Sequence, residues 1–167
     1  MRPLGLSDIS PLARTKVDVD ELLTQLDEID SRLYGKNKGL ESILTDVLPY
    51  DKKEILLALL RHYAIPLNDI SAIQTFLTQI RSGISSLPII TLTIAFAPKD
   101  HTITRISQWL ATQLARPVVL DISVDPAIIG GVVILYEGMY KDYSLHKRLL
   151  SHQDAFQAML NAPGGVQ

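Results

Sequence analysis

The sequence predicts an α+β chain, with a helical bundle of about four helices followed by a small β-α-β-β-α domain. Three observations predict it. From Val19 to Ile84, apolar residues recur at helical spacing in segments broken by Gly35, Pro49 and Pro66. From Ile89 the period switches to alternation, and β-branched residues dominate. Between the two lies Gly83-Ile84-Ser85-Ser86-Leu87-Pro88, which breaks the helical period and marks a boundary. The domains are therefore an irregular arm over 1–16, a helical bundle over 17–87 and an α+β domain over 88–167.

Composition narrows the classes. The 167 residues are 47% hydrophobic and 20% charged, enough apolar material for a core. A formal net charge of -2 argues against a general nucleic-acid binder. The absence of cysteine excludes disulfides and thiolate metal sites. The amino terminus lacks the apolar run of a secretion signal. No stretch approaches the roughly 20 apolar residues that span a bilayer, so no direct membrane insertion is expected.

The arm carries Pro3, Gly5 and Pro11 and no period. Asp18 and Glu21 form a capping-box pair, so the first helix is placed from Asp18. Val19, Leu22, Leu23, Leu26, Ile29 and Leu33 give it one stripe, with Asp20, Asp27 and Glu28 on a solvated face. A shorter stripe from Leu40 to Leu48 stops at Pro49. Asp51 and Glu54 repeat the capping signal before Ile55-Leu56-Leu57-Ala58-Leu59-Leu60, which is apolar nearly all round and belongs inside a bundle. The fourth helix runs from about Asn68 to Gly83.

In the second half, Ile90, Leu92, Ile94 and Phe96 face one side of the first strand. A helix carrying Ile103, Ile106, Leu110 and Leu114 follows, then a strand with Val118, Leu120, Ile122 and Val124 inward. Strand, helix and strand predict a parallel crossover. Val132 to Tyr136 is apolar on both faces and is placed centrally. Glu137-Gly138 reverses it as a hairpin. Ser144 caps a last helix that buries Leu145, Leu149, Phe156 and Leu160, and Ala162-Pro163-Gly164-Gly165 breaks the chain.

No grouping points to catalysis, a cofactor or a metal. His62, His101, His146 and His152 have no zinc-type spacing. Gly130-Gly131 is followed by no Lys-Ser or Lys-Thr and is not a phosphate loop. Asp121 and Asp125 share a strand at even spacing, yet no nucleophile or oxyanion site accompanies them. Trp109 reads as core packing, with a partner-facing aromatic as the alternative.

The most specific pattern is Asp125-Pro126, Ile129, Gly130-Gly131, Ile134, Gly138, Asp142, Ser144 and Leu149. The residues shape turns and caps. Their spacing resembles the delta subunit family of bacterial F-type ATP synthase, the family of the oligomycin-sensitivity-conferring protein, over residues 88–160. Tyr143 stands where that pattern has glycine. The family's amino-terminal domain has six helices and a Tyr-Ala opening, against about four helices and no such opening here.

The resemblance implies a non-catalytic stator subunit, with no cofactor. Residues 17–87 would hold the amino-terminal segments of the alpha subunits, and 88–160 the b subunits of the peripheral stalk. It also implies a peripheral place on the cytoplasmic face of the bacterial cell membrane, held through the complex. The alternative from the residues alone is a small regulatory module that senses a ligand, or a protein adaptor, outside ATP synthase.

Overall fold

Thr15 opens the longest helix. Its hydroxyl accepts the Asp18 amide at 3.1 Å, and the Asp18 carboxylate accepts the Thr15 amide at 2.9 Å, which closes a reciprocal capping box. Asp18 was expected to be the cap. It is the third residue of the helix, because Thr15 supplies a capping oxygen one turn earlier.

The structure, a computed structural model, describes residues 4–35, 39–150 and 152. The helices are α1 (Leu6–Ile9), α2 (Lys16–Tyr34), α3 (Leu40–Val47), α4 (Tyr50–His62), α5 (Ile70–Ser85) and α6 (Asp100–Leu114). The strands are β1 (Ile89–Ile94), β2 (Val119–Val124), β3 (Val132–Tyr136) and β4 (Met139–Asp142). Short 3-10 turns cover Ser10–Leu12 and Pro126–Ile128, and residues 145–150 are helical. The expected burial of Phe156 and Leu160 and the breaker at 162–165 lie outside the described residues. The α+β class holds.

The chain divides into two compact units, 1–89 with 100–120, and 90–99 with 121–167. α6 is thus grouped with the helices, whereas the sequence grouped it with 88–167.

The first unit is built on the apolar stripes. Leu22, Leu26 and Ile29 of α2 meet Ile43 and Leu44 of α3, Leu56 and Leu60 of α4, and Ile73, Phe76 and Ile80 of α5 in one core cluster. All are nearly or fully excluded from solvent. Asp27, expected to be merely solvated, pairs with Arg81 of α5 at 2.6 Å, and Asp30 accepts from Gln74 at 2.9 Å. Glu21 approaches Lys52 of α4 at 3.6 Å. Such pairs fix register more than they add stability.

Two further expectations fail here. The arm is ordered over 6–12, and Ile9, Leu12 and Ala13 are buried in the same core. Their spacing follows a helix and then a 3-10 turn, so no single period reveals them. Tyr63 ties the segment down: its hydroxyl donates to Asp8 at 2.6 Å and accepts from the Gly5 amide at 3.0 Å. In α4 the N-cap is Pro49, with no side-chain cap, and not Asp51. Pro49 has the extended backbone an N-cap needs, so the helix starts at Tyr50 and Asp51 falls in its first turn.

The sheet has strand order β2-β1-β3-β4. Val119 N donates to Pro88 O and Asp125 N to Ile94 O, both at 2.9 Å. Donor and acceptor numbers advance together, so β1 and β2 are parallel. β1 pairs antiparallel with β3 (Leu92 opposite Ile134), and β3 with β4 (Tyr136 opposite Met139). The sheet is mixed, with β3 inside it as expected. Ile90 and Leu92 are buried.

The inward assignments fail at the strand ends. Phe96 is 73% exposed because β1 stops at Ile94 and the alternation stops with it. Val124, the last residue of β2, is also exposed. Leu145 and Leu149 share the 145–150 helix and are exposed, not buried. Helical spacing reports a shared face, and not what covers it.

Candidate functional site

The patterned residues of the second unit converge on one turn-and-cap assembly. β2 ends at Val124, and Asp125 then does two things. Its amide continues the ladder to Ile94, and its carboxylate accepts the Ala127 amide at 2.9 Å. Pro126 suits the first position of the 3-10 turn, because its ring presets φ and its missing N–H is not needed there. The turn buries Ile128.

Ile129 follows with φ 64° and ψ -42°, and the Gly130 amide reaches back to Ile128 O at 2.7 Å. That is the geometry of a classic-handed γ-turn, which is rare and strained. A β-branched residue there is an outlier. Gly131 has φ 82°. A Cβ on Gly131 would collide with the Tyr143 carbonyl oxygen and press on Ser144 Cα. The glycine is thus required twice, for conformation and for close approach.

The other side of the assembly comes from the hairpin. Glu137 (φ 48°) and Gly138 (φ 77°) form its two-residue turn, both left-handed as a type I′ turn demands. At the far end of β4, Asp142 accepts the Ser144 amide at 2.8 Å. Ser144 is 2% exposed, and its hydroxyl accepts the Lys147 amide at 3.1 Å. It is the helix cap that the sequence suggested. The Leu145 amide closes the assembly on Gly130 O at 2.8 Å, and the Tyr143 amide binds Val132 O at 2.9 Å.

Hydrogen bonds from the Ser144 hydroxyl and then its amide hold the Asp142 carboxyl below its ordinary range, with smaller help from Lys147 and His146. The direction is that of a structural cap. A proton-transfer group working near neutrality needs the opposite shift.

The structure brings together Asp125, Pro126, Ile129, Gly130, Gly131, Asp142 and Ser144. Gly138 lies at the opposite end of the hairpin. Leu149 stands exposed on the 145–150 helix. The strain at Ile129 is not legible in the sequence, and Trp109, read there as core packing with a partner-facing aromatic as the alternative, is 59% exposed.

Elsewhere, a cleft of about 390 Å³ in the first unit is lined by Arg14, Thr15, Asp18, Asp51, Asp100, Ile103 and Thr104. Asp18 there is engaged by the capping box. Among the described residues no group of His, Cys, Asp or Glu could hold a metal ion, and no helix is long and apolar enough to cross a membrane. The assembly orders backbone, and its chemistry is that of a scaffold.

A protein-family model described as ATP synthase delta (OSCP) subunit matches residues 66–156. The match begins before α5, upstream of the stretch in which the motif lies. No curated protein matches the chain.

Proposed function

Because the chain belongs to the ATP synthase delta (OSCP) subunit family, and is therefore a non-catalytic stator subunit of F-type ATP synthase, we propose that it ties the catalytic head to the b-subunit stalk. In this reading the helices over 17–87 hold the amino-terminal segments of the alpha subunits, and 88–160 engage the b subunits. The tie resists rotor torque while protons drive synthesis. The protein sits peripherally on the cytoplasmic face of a bacterial membrane, held by its partners.

The observation that carries the reading is the family match across 66–156. The exposed apolar residues Ile129, Leu145 and Leu149 around the motif support it, since partner surfaces concentrate such side chains. The motif residues Asp125, Pro126, Gly130, Gly131, Gly138, Asp142 and Ser144 then act by setting that surface and not by touching the partner.

The test is isolation of the tagged full-length chain from native membranes in mild detergent, with photo-crosslinkers at Tyr50 and at Leu149. We expect recovery of alpha, beta and b subunits, with Tyr50 crosslinking to alpha and Leu149 to b. Absence of all synthase subunits from an otherwise whole complex would end the stator reading. Recovery with the two crosslinks exchanged would end only the division of labour.

A further inference from the structure

The amino-terminal segment sits on the first unit as a ligand sits in a groove. α1 has four residues, far below the roughly 12 that an isolated helix needs, so docking holds its shape. Leu6 and Ile9, three residues apart, both lie over Gly83 of α5: Leu6 Cδ2 and Ile9 Cδ1 are 3.5 and 2.6 Å from where a Cβ would stand. Leu12 and Ala13 follow into the same core, and the 3-10 turn that carries Leu12 packs on α4. Apolar residues at i and i+3 of a short helix, laid into a groove between two others, are the mode by which a separate amphipathic helix is bound.

One side chain fastens the segment at its start. The Tyr63 hydroxyl accepts the Gly5 amide at 3.0 Å and donates to Asp8 at 2.6 Å. At its end the chain is tethered: the Arg14 amide donates to Asp18 at 3.2 Å, and the Arg14 carbonyl accepts the Leu120 amide at 2.8 Å. Meanwhile α2 packs on α3 and α5, and α3 on α4, without the segment.

We propose that residues 5–13 are a displaceable strap, which in the unbound chain fills the groove for the amino-terminal segment of the alpha subunit. The identity of the incoming segment rests on the stator reading above, and the strap adds its regulation. The strap also defines the chemistry of its competitor: an amphipathic helix with aliphatic side chains three residues apart, one of them entering the Gly83 notch. A tethered ligand acts at an effective concentration of about millimolar, so a weak helix is refused and a tight one enters. A strap closed in about nine molecules of ten weakens the incoming helix about tenfold.

The test is calorimetry of the full-length chain with a synthetic peptide of the alpha amino-terminal segment from the same synthase. Ile9→Glu puts a charge where the side chain is fully buried and should expel the strap, so the peptide should bind at least about tenfold more tightly. Tyr63→Phe removes the fastening hydroxyl, keeps the ring, and should shift affinity the same way by a smaller factor. On the parent chain, saturating peptide should speed hydrogen exchange at the Gly5 and Asp8 amides, whose acceptors are Tyr63 Oη and Gly5 O. Circular dichroism melts show whether each variant is folded; if Ile9→Glu is not, Tyr63→Phe and the exchange rates decide.

Equal peptide affinity for the parent and the folded variants, with Gly5 and Asp8 exchange unchanged, overturns the strap and leaves the stator reading standing. Weaker binding by the folded variants overturns it too, since the segment would then be part of the receptor surface. If the peptide binds neither the parent nor any folded variant, the head-binding assignment itself fails and takes this proposal with it.

Discussion

A Cβ placed on Gly83 would come within 2.6 Å of Ile9 Cδ1. Gly83 lies inside α5, where glycine costs about 1 kcal/mol relative to alanine. Here it leaves a notch that receives a fully buried side chain from the amino-terminal segment. Gly83→Ala should therefore fail to gain the helix-propensity benefit and lose about 1 kcal/mol, since overpacking by one methyl costs about 1–3 kcal/mol. Ile9→Val removes Cδ1 and should cost about 1 kcal/mol alone. The double variant should be more stable than the sum of the two losses predicts, a coupling that a double-mutant cycle by urea denaturation measures directly. Simple additivity would mean that Ile9 moves aside freely.

The same segment leads into the Thr15–Asp18 capping box. Thr15→Ala should cost about 1 kcal/mol, the usual loss for a helix cap. Asp18→Ala should cost at least as much, because its carboxylate also accepts the Arg14 amide at 3.2 Å. The pair should be strongly non-additive, since either change opens the reciprocal box. Hydrogen exchange at the amides of residues 14, 15 and 18 is the check: faster exchange there, with the α5 amides unaffected, is the expected pattern.

Asp142 makes a prediction about pH. Its folded carboxyl titrates below the ordinary value while the unfolded one does not, so its contribution to stability is complete above the unfolded pKa. The contribution is lost as pH falls through the folded pKa. The window therefore lies in acid, below about pH 4, the ordinary aspartate value. The Ser144 hydroxyl is the largest cause, so Ser144→Ala should raise the Asp142 midpoint toward that ordinary value in a carbon-detected NMR titration. A midpoint that does not move would show that the hydroxyl is not what holds it down.

How far the sequence carries depends on whether a feature is local. The stripes of α2 to α5, the alternation in β1 and the hairpin at Glu137-Gly138 are set by near neighbours, and each was legible. Ser144 as a cap was legible for the same reason, because a cap is recognised within one turn. The amino-terminal segment was not. Ile9 sits against a notch at Gly83, and Tyr63 holds the neighbouring Asp8, both far along the chain. The turn residues of the motif were legible as turn formers. The strain at Ile129 was not, since glycines stood beside it to take the left-handed conformation. The exposure of Leu145, Leu149 and Trp109 was misread, because periodicity gives a face and not its cover.

Ile129 and Gly131 share a turn, and substitutions there should move in opposite directions. Both residues have positive φ. At Gly131 an alanine Cβ would meet backbone atoms of Tyr143 and Ser144, which cannot rotate away as a side chain can. Gly131→Ala should therefore combine the cost of left-handed backbone, about 1–2 kcal/mol, with displacement of β4 from the turn. At Ile129 the side chain is 55% exposed, so little burial is lost on removing it. Ile129→Gly relieves a backbone strain of about 1–3 kcal/mol, offset in part by about 1 kcal/mol for the added freedom of glycine in the unfolded chain. The net expectation is a neutral or stabilising change in thermal unfolding, against a clear loss for Gly131→Ala. If the exposed Ile129 is also partner surface, as the stator reading holds, the glycine variant should be the more stable protein and the weaker b-subunit binder. That combination of readouts separates a residue kept for contact from one kept for folding.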